Sequence, residues 1–128
     1  MNLSVRAENF RKVISETKCS TQNGNNLSVD YATDMAMQWF TKQRDNKNAV
    51  YIIGNGGSAA VASHAQIDFL NVAKLKALVL HEPSTITCMA NDFGYENAFS
   101  LILETMISKN DLLIAISSSG QSQNICKA

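Results

Sequence analysis

The chain has 128 residues, 45% of them hydrophobic and 17% charged, with 11 Lys and Arg against 11 Asp and Glu. That composition suits one folded domain with its own core and excludes a disordered chain. Zero formal net charge argues against a broad basic surface for nucleic acid or an anionic membrane, so neither is expected as a partner.

No apolar run approaches the roughly 20 residues a membrane helix needs. The opening M-N-L-S-V-R-A-E-N-F lacks the continuous apolar stretch of a secretion signal. Cys19, Cys88 and Cys126 lie far apart without C-x-x-C spacing, so free thiols in a reducing cytoplasm are expected. Leu3, Ala7, Phe10 and Ile14 recur at helical spacing within residues 1–20. Ser20–Asn26 reads as a polar turn around Gly24. A second helix is predicted over about Ser28–Lys42, with Ala32, Met35, Ala36, Trp39 and Phe40 on one face and Ser28 or Asp30 as its cap. Trp39 is expected to pack, and Thr41–Asn48 to be a loop. The helical pair occupies residues 1–46, ahead of an α/β segment at 47–128, the two making one structural domain.

From Ala49 the pattern changes to short apolar strands alternating with helices. Strands are predicted at about Ala49–Ile53, Ala77–Leu80 and Leu112–Ile116. Helices are predicted at about Ser58–Asn71, Ser84–Ala90 and Asn97–Ser108. Pro83 turns the chain after His81 and Glu82, and Asn91-Asp92-Phe93-Gly94 reads as another turn. Such alternation implies a parallel sheet with right-handed crossovers, whose ligands sit beyond the carboxyl ends of the strands.

Two loops lie at such ends. Gly54-Asn55-Gly56-Gly57-Ser58 follows the first strand, where glycine lets backbone approach a ligand and the helix behind offers free N–H groups. Ser117–Ser122 follows the third strand and holds four hydroxyls and Gly120. Serine-rich loops often merely cap helices, but hydroxyls also donate to phosphate oxygens. Neither loop contains Lys or Arg, so amides and hydroxyls must hold any phosphate. Gly54–Ala59 also fits the dinucleotide fingerprint G-x-G-x-x-A, a weak match alone. The acidic residue that fingerprint wants about 20 positions on is absent: Lys74 stands there and Glu82 lies too far along.

G-N-G-G-S-A at Gly54–Ala59, N-D-F-G-Y at Asn91–Tyr95 and S-S-S-G-Q-S at Ser117–Ser122 occur in that order. Together they resemble the sugar isomerase (SIS) domain, and within it the bacterial phosphoheptose isomerases. The resemblance implies a flavodoxin-like fold, a parallel sheet between helices, preceded by two N-terminal helices. It implies a cytoplasmic homotetramer with active sites between subunits, interconverting sedoheptulose 7-phosphate and a heptose 7-phosphate for lipopolysaccharide or capsule. By the same resemblance Ser117, Ser118, Ser119 and Ser122 grip the phosphate, the loop at Asn55, Gly56, Gly57 and Ser58 lines the sugar site, and Asp92 stands near the sugar hydroxyls.

The family carries a His and, four residues later, a catalytic Glu on the helix after the glycines. Here His64 and Asp68 match them. Residues four apart share a helix face, which suits an aldose–ketose isomerisation in which a base removes a carbon-bound proton and an acid returns it next door. No cofactor is required by this reading, but in some members the same pair joins a zinc site. Asp in place of Glu shortens the reach by roughly 1.5 Å, and a misplacement of about 1 Å can cost on the order of a hundredfold in rate. Asp68 is then a weaker base, a base suited to another substrate, or a relic. Family members continue for some 60 further residues that bring the last strands, a final helix and further acid/base and zinc ligands. A fragment of a longer product is expected, ahead of a natural truncation completed by oligomerisation. The rival functional reading is a non-catalytic SIS module that binds a sugar phosphate or a partner protein such as a replication initiator.

Overall fold

In the computed structural model, which describes residues 2–128, the first helix, α1, spans Leu3–Ser15. Asn2 caps it, its Oδ1 accepting from the Ser4 N–H at 3.0 Å. The apolar side chains that set its spacing, Leu3, Ala7, Phe10 and Ile14, are exposed. The predicted polar turn is the tip of a small antiparallel hairpin, β1 (Cys19–Ser20) with β2 (Asn26–Leu27). Gly24 turns the chain there with φ +78°, a conformation that glycine adopts freely.

Helix α2 spans Val29–Asp45, and Ser28 caps it as predicted, its Oγ accepting from the Tyr31 N–H at 3.2 Å. The helix overruns its predicted end, so the loop expected from Thr41 is helical to Asp45. Lys, Gln and Arg are good helix formers, and Lys42 and Arg44 stand in the last turn, where positive charge meets the negative end of the helix dipole. Its polar residues are exposed except Gln43, which is buried, and they do not break the helix. Trp39, expected to pack, is half exposed. Among the described residues two compact units separate, the first ending at Trp39 and the second running Phe40–Ala128.

The second unit is built on β3 (Ala49–Gly54), buried at every position. It lies between β4 (Lys76–Val79) and β5 (Leu112–Ile116), both parallel to it, in the order β4-β3-β5. That order, second–first–third along this part of the chain, is how a flavodoxin-like sheet begins. One face of β3 packs Tyr51 and Ile53 against Leu80, Phe99, Ile102 and Leu103. The other packs Val50 and Ile52 against Ala62 and Leu75, with Phe40 and Phe69 alongside. A strand covered on both faces reads as an unbroken apolar run, which is why Val50–Ile53 was plain in the sequence.

Helix α3 (Gly57–Asp68) continues as a π turn, Phe69–Ala73, that Lys74 ends at φ +56°. Helix α4 spans Pro83–Phe93. Asn91, Asp92 and Phe93, expected in a turn, belong to its last turn. The chain breaks only at Gly94, φ +84°, the first residue there that leaves the helix without strain. A 3-10 turn at Tyr95–Asn97 leads to α5 (Ala98–Met106), and α6 (Gln123–Cys126) follows β5. The three-stranded parallel sheet between helices is the α/β architecture expected from the alternating pattern.

At the amino ends of the strands, Asp111 accepts the Ala49 N–H at 2.7 Å on one oxygen and the Ser108 N–H at 2.8 Å on the other. The Tyr51 hydroxyl donates to the Met106 carbonyl at 2.8 Å. Burial first, and the Asp111 charge second, push the Tyr51 phenol above its ordinary range. At the start of α4 the Glu82 carboxylate accepts the Thr85 N–H at 2.8 Å and the Ser84 hydroxyl at 2.9 Å. The Thr85 and Ser84 backbone amides, with that hydroxyl, lower its pKa to about 2.

Two outcomes follow for folding. Phe99→Ala, at a fully buried ring, should cost about 3–5 kcal/mol in urea unfolding. Glu82 has a depressed folded-state pKa, so its stabilisation is complete above the ordinary value of 4.5 and is lost as pH falls towards about 2. Melting scans over that range should show Glu82→Gln with a weaker acid dependence than the parent chain.

Candidate functional site

The parallel ladder ends where Gly54 stands opposite Ile116, so the loops that follow β3 and β5 leave from neighbouring strand tips. Gly54 has to be glycine for a steric reason: a Cβ there would come within 2.8 Å of the Ser58 backbone and its Cβ. Gly56, φ +51°, turns the chain into α3, whose N-terminus no side chain caps. The Ser58 N–H donates to the Asn55 carbonyl at 2.9 Å.

A pair of amides joins the two loops. Asn55 Nδ2 donates to Asn124 Oδ1 at 2.9 Å, and Asn124 Nδ2 donates back to Asn55 Oδ1 at 2.9 Å. The Tyr95 hydroxyl donates to the same Asn55 oxygen at 2.8 Å. Both lone pairs of Asn55 Oδ1 are thereby filled, and one N–H of its amide remains.

In the serine loop Gly120 turns at φ +65°. Ser117 Oγ accepts the Gly120 N–H at 3.1 Å, and Ser119 Oγ accepts the Gln121 N–H at 3.2 Å. Ser117 Oγ lies 3.5 Å from Ser119 Oγ and 3.4 Å from Ser122 Oγ. Three of the four predicted hydroxyls therefore converge, while Ser118, exposed like Ser119, lies outside that set. Such a cluster offers O–H donors to a small anion with no cation in the loop.

Other predicted residues make their hydrogen bonds outside this cluster. Asp92, exposed in the last turn of α4, accepts from Asn91 Nδ2 at 2.9 Å and from the Cys88 thiol at 3.6 Å. The hydrogen bond and the charge of its carboxylate push that thiol's pKa up. His64 Nε2 lies 3.6 Å from Asp68 Oδ2, the side chains 79% and 59% exposed. Asp68 is eleven residues beyond Gly57, about 16 Å along the axis from the start of α3, so this chain alone does not bring it to the loops. Among the described residues no group of three or more His, Cys, Asp or Glu stands close enough to hold a metal. His64 and Asp68 give two donors where zinc takes three or four, so the residues here do not complete a zinc site.

Sequence reasoning missed three participants. Asn124 and Tyr95 act through partners 69 and 40 residues away, and no local pattern announces such bonds. Tyr95 was visible only as the last letter of N-D-F-G-Y. The third is His81, at the carboxyl end of β4, whose Nε2 pairs with Ser63 Oγ at 2.8 Å while its buried Nδ1 has no partner.

The SIS domain family model matches residues 10–128. The phosphoheptose isomerase of Helicobacter pylori (strain Shi470) is 42% identical over 90 residues, 66% of this chain and 47% of that protein. The phosphoheptose isomerase of Cytophaga hutchinsonii is 40% identical over 80 residues, 59% of this chain and 42% of that protein. The chain thus spans about half the length of the curated relatives it matches. Among solved structures, the phosphoheptose isomerase of Neisseria gonorrhoeae superposes with TM-score 0.63 at 26% identity, covering 99% of this chain and 67% of that one. One from Francisella tularensis superposes with TM-score 0.75 at 24% identity, covering 100% and 68%, a likeness of fold.

The Ser63–His81 pair makes a prediction of its own. Ser63→Ala leaves both imidazole nitrogens unpaired, and should cost about 1–3 kcal/mol in urea unfolding.

Proposed function

This chain belongs to the SIS-domain family, and we propose that it binds a phosphorylated sugar across the two loops at the carboxyl ends of β3 and β5. One observation carries the reading: Ser117, Ser119 and Ser122 hydroxyls converge beside a glycine turn tied to them through Asn55 and Asn124. The phosphate oxygens take the serine hydroxyls, including that of the exposed Ser118. Gly56, Gly57 and Ser58 leave room for the sugar, and the free N–H of Asn55 donates to one of its oxygens. Asp92 serves the sugar hydroxyls at the rim.

The activity we propose for the whole protein is aldose–ketose isomerisation of sedoheptulose 7-phosphate and a heptose 7-phosphate in the cytoplasm, supplying heptose for lipopolysaccharide or capsule. Asp68 removes the proton from the carbon beside the carbonyl, the enediol forms, and the proton returns to the neighbouring carbon, with His64 as the paired acid. Asp68 lies far along α3 from this chain's own loops, so we place it in a site completed by a neighbouring copy, as in a homotetramer. No step of this reading runs through a metal.

A second reading has its own support. Asp68 stands where the family carries Glu, and it is exposed beside His64, which suits a module that binds sugar phosphate or a partner protein without turnover. NMR of sedoheptulose 7-phosphate incubated with the whole protein separates the two. Isomerisation abolished by Asp68→Asn supports the enzyme, and binding without isomerisation supports the module. In calorimetry with the same sugar phosphate, Ser119→Ala should weaken binding roughly tenfold, the worth of one hydrogen bond to a charged group. Undiminished affinity would remove the serine loop from phosphate binding.

A further inference from the structure

We infer that Asn124 is a positioning residue, whose amide pair with Asn55 sets the spacing of the glycine and serine loops so that one ligand reaches both. The inference rests on the phosphosugar reading above and names what makes that site a single site.

The backbone ladder between β3 and β5 stops at Gly54 and Ile116. Beyond it the loops have no regular structure in common. Among the described residues, the side-chain hydrogen bonds of Ser117–Ser122 stay within that loop, and the Gly120 carbonyl receives the Cys126 thiol of the helix that follows. The first polar link across the gap is the Asn55–Asn124 pair, two bonds of 2.9 Å in opposite senses. Asn124 is 3% exposed, so water cannot replace a lost partner cheaply. A reciprocal amide pair also fixes orientation, because each amide must present its oxygen to the other's N–H.

Two more bonds brace the arrangement. Tyr95 fills the second lone pair of Asn55 Oδ1, so Asn55 cannot flip without losing bonds. Lys127 Nζ donates to Asn97 Oδ1 at 2.8 Å, tying α6 to the same turn that carries Tyr95. The short helix α6, and with it the serine loop, is held against Asn55 and the Tyr95–Asn97 turn at two points three residues apart. Asn55 is thereby left with a single donor, which selects for an acceptor oxygen on the ligand at that place.

The test uses calorimetry of the full chain with two probes, sedoheptulose 7-phosphate and inorganic phosphate. Inorganic phosphate needs the serine loop alone, whereas the sugar phosphate needs both loops at the correct spacing. Asn124→Leu should weaken the sugar phosphate at least tenfold and inorganic phosphate less than threefold. Tyr95→Phe, which removes one hydroxyl from a half-exposed side chain, should show the same selectivity at smaller size, and it carries the test if Asn124→Leu does not fold. Equal losses for both probes, or no loss for either, would overturn the positioning role and leave the phosphosugar reading standing. A parent chain that binds inorganic phosphate but gains nothing from the sugar would overturn that reading, and this inference with it.

Discussion

Complete burial of β3 is the constraint from which the second unit follows. Each of its six residues is buried, with alternate side chains feeding two separate cores. A strand so placed has neighbours on both edges and helices on both faces, and its backbone is satisfied through β4 and β5 and, at Ala49, by the Asp111 carboxylate. The strand must then leave the sheet abruptly, because polar backbone cannot continue into the same apolar surroundings. Gly54 makes the exit, and the close approach of Ser58 at that point shows how little room the turn has. Parallel pairing puts the end of β5 beside that exit, so two loops with no sequence proximity become neighbours.

The two loops satisfy their own polar groups differently. The glycine loop uses backbone, with Ser58 and Ala59 N–H groups both directed to the Asn55 carbonyl. The serine loop uses side chains, its hydroxyls accepting the Gly120 and Gln121 amides. A hydroxyl that accepts from an amide still has its own proton to give. The amide bonds therefore orient these hydroxyls without consuming their protons, although Ser117 gives its own to Ser122 Oγ at 3.4 Å, and a site oriented before its ligand arrives loses less entropy on binding. Neither loop contains a Lys or Arg, so in the phosphosugar site proposed above these hydroxyls would do the work of a cation.

Much of this was legible in the residues. The strand Leu112–Ile116 and the core of β3 read directly, since buried parallel strands are continuous apolar runs. Both loops read from glycine and serine at strand ends. Helix termini read poorly where polar residues stand in a last turn: Thr41–Asp45 and Asn91–Phe93 look like breaks, yet α2 runs to Asp45, just short of Lys47 at positive φ, and α4 runs to Phe93, directly before Gly94. The Asn55–Asn124 pair was beyond local reasoning altogether. Asn124 sits in a short polar stretch with no periodicity, and its importance comes from a partner 69 residues earlier that only the folded sheet brings near.

His64 and Asp68 show the opposite case, residues plain in the sequence whose setting is not. Their spacing puts imidazole and carboxylate on one helix face, and the structure keeps them 3.6 Å apart. Yet a mostly exposed pair gains little from its own attraction, since solvent screens it. Exposure also leaves the carboxylate fully hydrated, a poor condition for a base that must take a proton from carbon. A second surface laid over α3 would remove that water and bring the pair's chemistry to bear on a ligand held elsewhere. In the function proposed above, the same chain would supply a phosphate grip from one end of its sheet and an acid/base pair from the flank of a helix, each completed by the other half from a neighbouring copy.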